Sequence, residues 1–147
     1  MKQKMIQNRL WLFLCVALIA AGVCMFTACS KDQNSEESAE VWLEGGTLGE
    51  GEYSFAFTAV DKEGKTAEFT IQYQDAKTVG EALIDVGLIS GEEGEFGLYV
   101  KRVNGVFADY TVTGDYWAFY ADGAYSKTGV EKTPITEGVC YMFKVEK

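Results

Sequence analysis

Apolar and polar positions divide the chain into three stretches. Leu10 to Phe26 runs almost without a polar side chain, behind Lys2, Lys4 and Arg9. Residues 30 to 40 are polar and acidic and show no periodic apolar pattern. Such a segment cannot bury enough surface to order itself and is expected to be a flexible tether. The tether is expected to continue through the glycines at 45, 46, 49 and 51, placing the start of the folded part near Glu52. From there the pattern becomes periodic. Tyr53, Phe55, Phe57 and Ala59 alternate with smaller or polar neighbours, and Ala67, Phe69, Ile71 and Tyr73 alternate with Glu68, Thr70 and Gln72. A period of two marks strands with one buried face. The turn Asp61-Lys62-Glu63-Gly64 between them makes a hairpin.

One helix follows. Thr78 with Glu81 three residues on has capping-box spacing. Val79, Ala82, Leu83 and Val86 form a single apolar stripe, and Gly87 supplies a stop. A helix this short has to pack on a sheet to exist. Residues 90–97, with Gly91, Gly94, Gly97 and the acids Glu92, Glu93 and Glu95, are expected to be a solvated loop. Their spacing lacks the Asp-rich pattern of a calcium loop. Strands resume at Leu98–Val103, ending in the tight-turn pair Asn104-Gly105, and at Tyr116–Ala121, closed by Asp122-Gly123. A corner at Gly129-Val130, the sole proline, Pro134, and a last strand over Val139–Val145 complete the chain. Strand, strand, helix, then several strands predicts an α+β fold, a mixed β-sheet with one packed helix in a β-grasp-like layout.

Charge and rare residues narrow the chemistry. Without residues 1–28 the chain keeps all 22 acidic residues but 10 of its 13 basic ones, for a net charge of −12. That balance disfavours nucleic acid, which rewards clustered Lys and Arg. It suits a soluble, self-repelling surface. With no histidine, there is no Ser-His-Asp or Cys-His device and no imidazole-built zinc site. Acidic residues are plentiful, but no spacing singles out a catalytic pair, so the chain is not expected to be an enzyme. Asp109 and Asp115 read either as polar ligand contacts or as turn residues. Cys140 is the sole cysteine beyond residue 29, so an internal disulfide is not expected there. Flanked by Tyr141, Met142 and Phe143, it is expected to be a buried, inert thiol.

The first stretch has the order of an export signal: basic residues, an apolar run, then small residues. Its end, Phe26-Thr27-Ala28-Cys29, resembles the lipobox of bacterial lipoproteins. The resemblance implies a signal peptide over 1–28, a diacylglyceryl group on the Cys29 thiol and a lipidated tether over 29–49. The competing reading is an uncleaved transmembrane anchor, since the apolar run approaches the ~17 residues that cross a bilayer. Both readings put the remainder on the extracytoplasmic side of the cell membrane.

Several pieces further along share a second resemblance. They are Thr78-Val79-Gly80-Glu81-Ala82-Leu83, Val103-Asn104-Gly105-Val106, Tyr116-Trp117-Ala118-Phe119-Tyr120, Asp122-Gly123, Gly129-Val130 and Glu137-Gly138. In that order they resemble the transcobalamin-like C-terminal domain, a β-grasp-type module of secreted proteins, over residues 50–147. The resemblance implies a ligand-binding module, with cobalamin or a related corrinoid as the named precedent and a transporter or cell-envelope protein as recipient. The alternative is a cell-surface protein-interaction or adhesion module without a small-molecule ligand.

The densest aromatic cluster of the folded part is Tyr116-Trp117-Ala118-Phe119-Tyr120. On a strand, Trp117 and Phe119 share one face and Tyr116 and Tyr120 the other. Trp117 and Phe119 are the expected core pair, because tyrosine can keep its hydroxyl wet. Aromatics on half-buried strands need no ligand. Read functionally, Tyr110, Tyr116, Trp117, Tyr120 and Tyr125 are the candidate ligand-binding residues, a platform for a planar ligand.

Overall fold

A computed structural model describes residues 41–147. The export signal, Cys29 and the tether as far as residue 40 lie outside the described residues. No helix among the described residues is long and apolar enough to cross a membrane. The described elements run β1 (Gly45–Gly49), β2 (Tyr53–Val60), β3 (Thr66–Tyr73), α1 (Val79–Asp85), β4 (Ile89–Gly94), β5 (Gly97–Val103), β6 (Val106–Phe107), α2 (Tyr110–Thr113), β7 (Tyr116–Ala121), β8 (Ala124–Tyr125), a 3₁₀ turn (Val130–Lys132) and β9 (Cys140–Glu146).

They form an α+β fold with a six-stranded mixed sheet, in the order β1-β3-β2-β9-β7-β8, and a three-stranded sheet, β4-β5-β6. The expected hairpin is β2–β3, antiparallel with Phe57 opposite Phe69. The last strand, β9, returns to the centre of the sheet, parallel to β2 and antiparallel to β7. Phe55, Phe57 and Ala59 of β2, Ala67, Phe69 and Ile71 of β3, Trp117 and Phe119 of β7 and Tyr141, Phe143 and Val145 of β9 all point to the same buried side. Helix α1 covers part of that side with Val79, Ala82 and Leu83, and the small sheet contributes Ile89, Val100 and Val103. The Thr78–Glu81 capping box is complete: the Glu81 N–H donates to Thr78 Oγ1 (3.2 Å), and the Thr78 N–H donates back to Glu81 Oε2 (3.3 Å). Two orphan donors of the first turn are thereby satisfied.

Three expectations are corrected. Residues 90–97 are largely not a loop, because Ile89–Gly94 pairs with β5 as strand β4, with a register shift between Ser90 and Gly91. A strand rich in glycine and glutamate shows no apolar alternation, yet its backbone pairs all the same. Gly45–Gly49, expected in the tether, forms β1 and pairs in parallel with β3. Cys140 is exposed, not buried. With Tyr141 and Phe143 pointing into the core, strand alternation sends Cys140 to the opposite face.

The segment ahead of β1 is also held. Asn104 is buried, and its amide brackets the backbone of Leu43. The Leu43 N–H donates to Asn104 Oδ1 (3.0 Å), and Asn104 Nδ2 donates to the Leu43 carbonyl (2.8 Å). Asn104 and Gly105 adopt φ of 50° and 82°, as a tight hairpin turn requires. A Cβ on Gly105 would lie 2.6 Å from the Val41 carbonyl oxygen, so the docked segment requires glycine at this turn position.

Candidate functional site

The inner face of β7 does more than fill the core. Beside Trp117 and Phe119 a crevice of about 290 Å³ opens between the large sheet and β5. Its floor is Trp117, Phe119 and Phe143, and one wall is Leu98 and Val100. The far lip is the segment Ser126–Val130, and Phe96 and Tyr125 stand at the mouth.

Each part is held by local structure. Trp117 is buried, and its indole N–H donates to the Val106 carbonyl (3.2 Å), so its one polar atom is spent on β6. The Phe119 ring stacks on Tyr141 with centroids 6.2 Å apart and meets Phe143 at 5.0 Å. The floor is thus continuous with the aromatic core and shares its rigidity. The lip is tied at both ends. The Ser126 N–H donates to the Phe119 carbonyl (2.9 Å), and Thr133 Oγ1 donates to the Gly129 carbonyl (3.0 Å). Ser126 Oγ also donates to the Thr128 carbonyl (2.8 Å). Opposite, Phe96 tips the β4–β5 hairpin and is 86% exposed. Lys132 Nζ donates to the Phe96 carbonyl (3.4 Å). Such an exposed aromatic beside an aromatic-floored crevice marks an interaction site more strongly than scattered surface leucines do.

The structure places the five expected ligand residues on different surfaces. Tyr116 and Tyr120 lie on the outer face of β7, away from the crevice. There Tyr120 Oη donates to Glu146 Oε1 (2.6 Å), and Lys144 Nζ lies 3.6 Å from the same oxygen. The hydrogen bond to Glu146, with burial and the carboxylate's charge, pushes the Tyr120 hydroxyl up to about 12. Burial, with Tyr125 and Glu146 nearby, also raises Tyr116. Tyr125 sits on β8 at the sheet edge, its ring 5.6 Å from Tyr120 and edge-on, and it also borders the crevice. Trp117 is on the opposite face, as strand alternation requires. Tyr110 begins α2 and is exposed; its N–H donates to Tyr99 Oη (3.1 Å). No ring contact among the described residues joins Tyr110 to the other three tyrosines. Phe96, Leu98 and Lys127 were missed in the sequence. The only signal there was one aromatic, Phe96, standing in an acidic glycine-rich segment.

Asp109 is a structural cap. It is buried, its Oδ1 accepts from the Thr111 N–H (2.9 Å) and hydroxyl (2.7 Å), and its Oδ2 lies 3.0 Å from Lys101 Nζ. The Thr111 hydroxyl and Lys101 hold its carboxyl below the usual carboxylate range. Lys101 in turn is raised by its hydrogen bonds to Glu92 and Asp109.

Other depressions lie among the described residues. One, of about 310 Å³, lies between β3 and α1 and holds Glu50, Asp75 and Asp85. Another is an open trough of about 450 Å³ on the outer sheet face around Ala56, Thr70 and Cys140. Among the described residues, no group of three or more acidic, cysteine or histidine side chains could hold a metal ion.

Together these features define an α+β domain with a rigid aromatic crevice between two sheets. Residues 76–147 match the family model described as a domain of unknown function, DUF4430. The chain is similar to a candidate metal-binding protein from Ruminococcus gnavus ATCC 29149, at 26% identity and a TM-score of 0.60, over 65% of this chain and 98% of that one. It shares its fold with haptocorrin in complex with Cbi, at 15% identity and a TM-score of 0.50. That match covers 65% of this chain and spans 25% of the haptocorrin chain. No curated protein matches the sequence.

Proposed function

We propose that the chain is a membrane-tethered, extracytoplasmic ligand-binding lipoprotein that binds without catalysing a reaction. Cys29 carries the lipid, the segment up to residue 40 is the tether, and the domain beyond it holds a small ligand for transfer to a transporter. The observation that carries the binding role is the aromatic crevice floored by Trp117, Phe119 and Phe143, with the exposed Phe96 at its mouth. The likeness to haptocorrin supports a small-molecule ligand, with a corrinoid as precedent. The central return of β9 beside β2, after a hairpin and a helix, supports a β-grasp reading of the large sheet.

A crevice of about 290 Å³ is at the lower end of ligand-pocket sizes. A corrinoid would therefore seat only an edge or one substituent there. The likeness to the Ruminococcus gnavus protein would favour a metal, but the described residues offer no cluster of donors for one.

The test uses the full chain extracted from membranes in detergent. Intact mass should show a diacylglyceryl-modified Cys29 start; an unmodified Met1 start rules out the lipoprotein reading. Tryptophan emission should change on titration with cobinamide, cobalamins or small aromatic compounds. No change with any of them to high micromolar concentration rejects ligand binding at the crevice. A stoichiometric protein partner from cell-envelope extract would then favour the adhesion module.

A further inference from the structure

The crevice is apolar on its floor and one wall, but its far lip carries a charge. Lys127 sits on that lip between Ser126 and Thr128. It is exposed and forms no ion pair with any described residue, in a chain with 22 acidic side chains. Its neighbours are not free for a ligand in the same way. Ser126 Oγ is engaged with the backbone of Thr128 as both donor and acceptor. Lys132, the next cation along, is held by the Phe96 carbonyl and lies 3.9 Å from Glu131. The Glu131 carboxylate is packed against the α-carbons of Gly97 and Gly129, and neither oxygen is open to solvent. The lip therefore presents an unpaired ammonium beside a ring-sized crevice with an aromatic floor and polar lip.

Building on the binding role proposed above, we propose that the crevice selects small aromatic acids. The ring enters over Trp117 and Phe119, and the carboxylate stays at the mouth against Lys127. The volume of about 290 Å³ suits one ring with a short chain. The charge serves discrimination: the chain's overall negative charge repels anions at long range, but that repulsion is screened beyond ~8–10 Å. A cation at the lip acts within that distance.

The experiment compares three probes of one shape: para-fluorophenylacetate, the neutral para-fluorophenylacetamide and the cationic para-fluorophenethylammonium. Fluorine NMR line broadening reads their binding to the full chain in detergent micelles. Micelles take up each probe equally in wild-type and variant samples, so ratios between samples are free of that uptake. The acetate-to-amide ratio of wild type, taken relative to that of Lys127→Gln, should be higher by up to about fivefold, the upper scale of one exposed ion pair. Lys127 is exposed, so Lys127→Gln should leave the fold intact, and Lys127→Arg should keep the wild-type ratio. An acetate-to-amide ratio in Lys127→Gln equal to that of wild type overturns the selection of acids. Absence of broadening for all three probes overturns the crevice as a ligand site.

Discussion

Gly97 is the position where backbone geometry and the crevice meet. Its φ is +109°, and a Cβ there would overlap Glu131 Oε1. Consider Gly97→Ala. An alanine forced into this region costs of order 1–3 kcal/mol in backbone strain. The overlap adds little. The Glu131 carboxylate has no hydrogen-bond partner where it lies, so swinging it into water regains hydration. Strain should therefore dominate. Each 1 kcal/mol shifts the midpoint of a domain this size by roughly 4 °C, so Gly97→Ala should lower it by about 4–12 °C. Near-UV circular dichroism of the full chain in detergent follows the melt through the packed tyrosines and tryptophans. Glu131→Ala alone should stay within about 1 kcal/mol of wild type, and the double variant should melt close to Gly97→Ala. Full recovery in the double variant would refute the reasoning, because the carboxylate overlap and not the backbone would then be the cost. A Gly97→Ala midpoint within 1 °C of wild type would refute it equally.

Other expectations are more local. Thr78→Ala removes a cap whose hydroxyl accepts from the Glu81 N–H (3.2 Å) and should cost about 1 kcal/mol in the same melt. Tyr120 holds its proton in the fold, with its value raised from 10.0 to about 12. Its contribution is thus full below about pH 10 and is lost as pH rises toward 12. Absorbance titration near 295 nm should show a late phenolate step that Glu146→Gln moves earlier; an unshifted step would contradict the pairing. Asp109 runs the other way. Its folded value lies below 3.8, so its contribution is present above that pH and is lost as pH falls through the folded value. Asp109→Asn should flatten the fall of melting temperature in acid, and an unchanged acid profile would count against the Thr111 and Lys101 contacts.

What could be read from the sequence was local. The alternation of Phe55 and Phe57 against Phe69 and Ile71 needs only neighbours along the strand, and it defines β2 and β3. The Thr78–Glu81 spacing is a four-residue signal, and the cap forms as read. Strands β1 and β4 escaped because Gly45-Gly46 and Gly91-Glu92-Glu93-Gly94 pair through backbone alone and bring no side-chain period. Cys140 was misread from its apolar neighbours, although the parity of Tyr141 and Phe143 already pointed it outward. The two faces of β7 follow the same parity: Trp117 and Phe119 lie inward and Tyr116 and Tyr120 outward, as strand alternation requires. The crevice was not legible. It exists because Leu98 of the small sheet meets Phe119 and Lys127, more than twenty residues further on, and no short-range pattern encodes that meeting.

The proposed ligand is seated between the hairpin tips, over the inner face of β7. Intermolecular NOEs between the ring protons of para-fluorophenylacetate and the isotope-labelled full chain test it most directly. The methyl groups of Leu98 and Val100 and the Trp117 indole should light up together. Contacts confined to Tyr116 and Tyr120 on the outer face, with none to Leu98 or Val100, would contradict it.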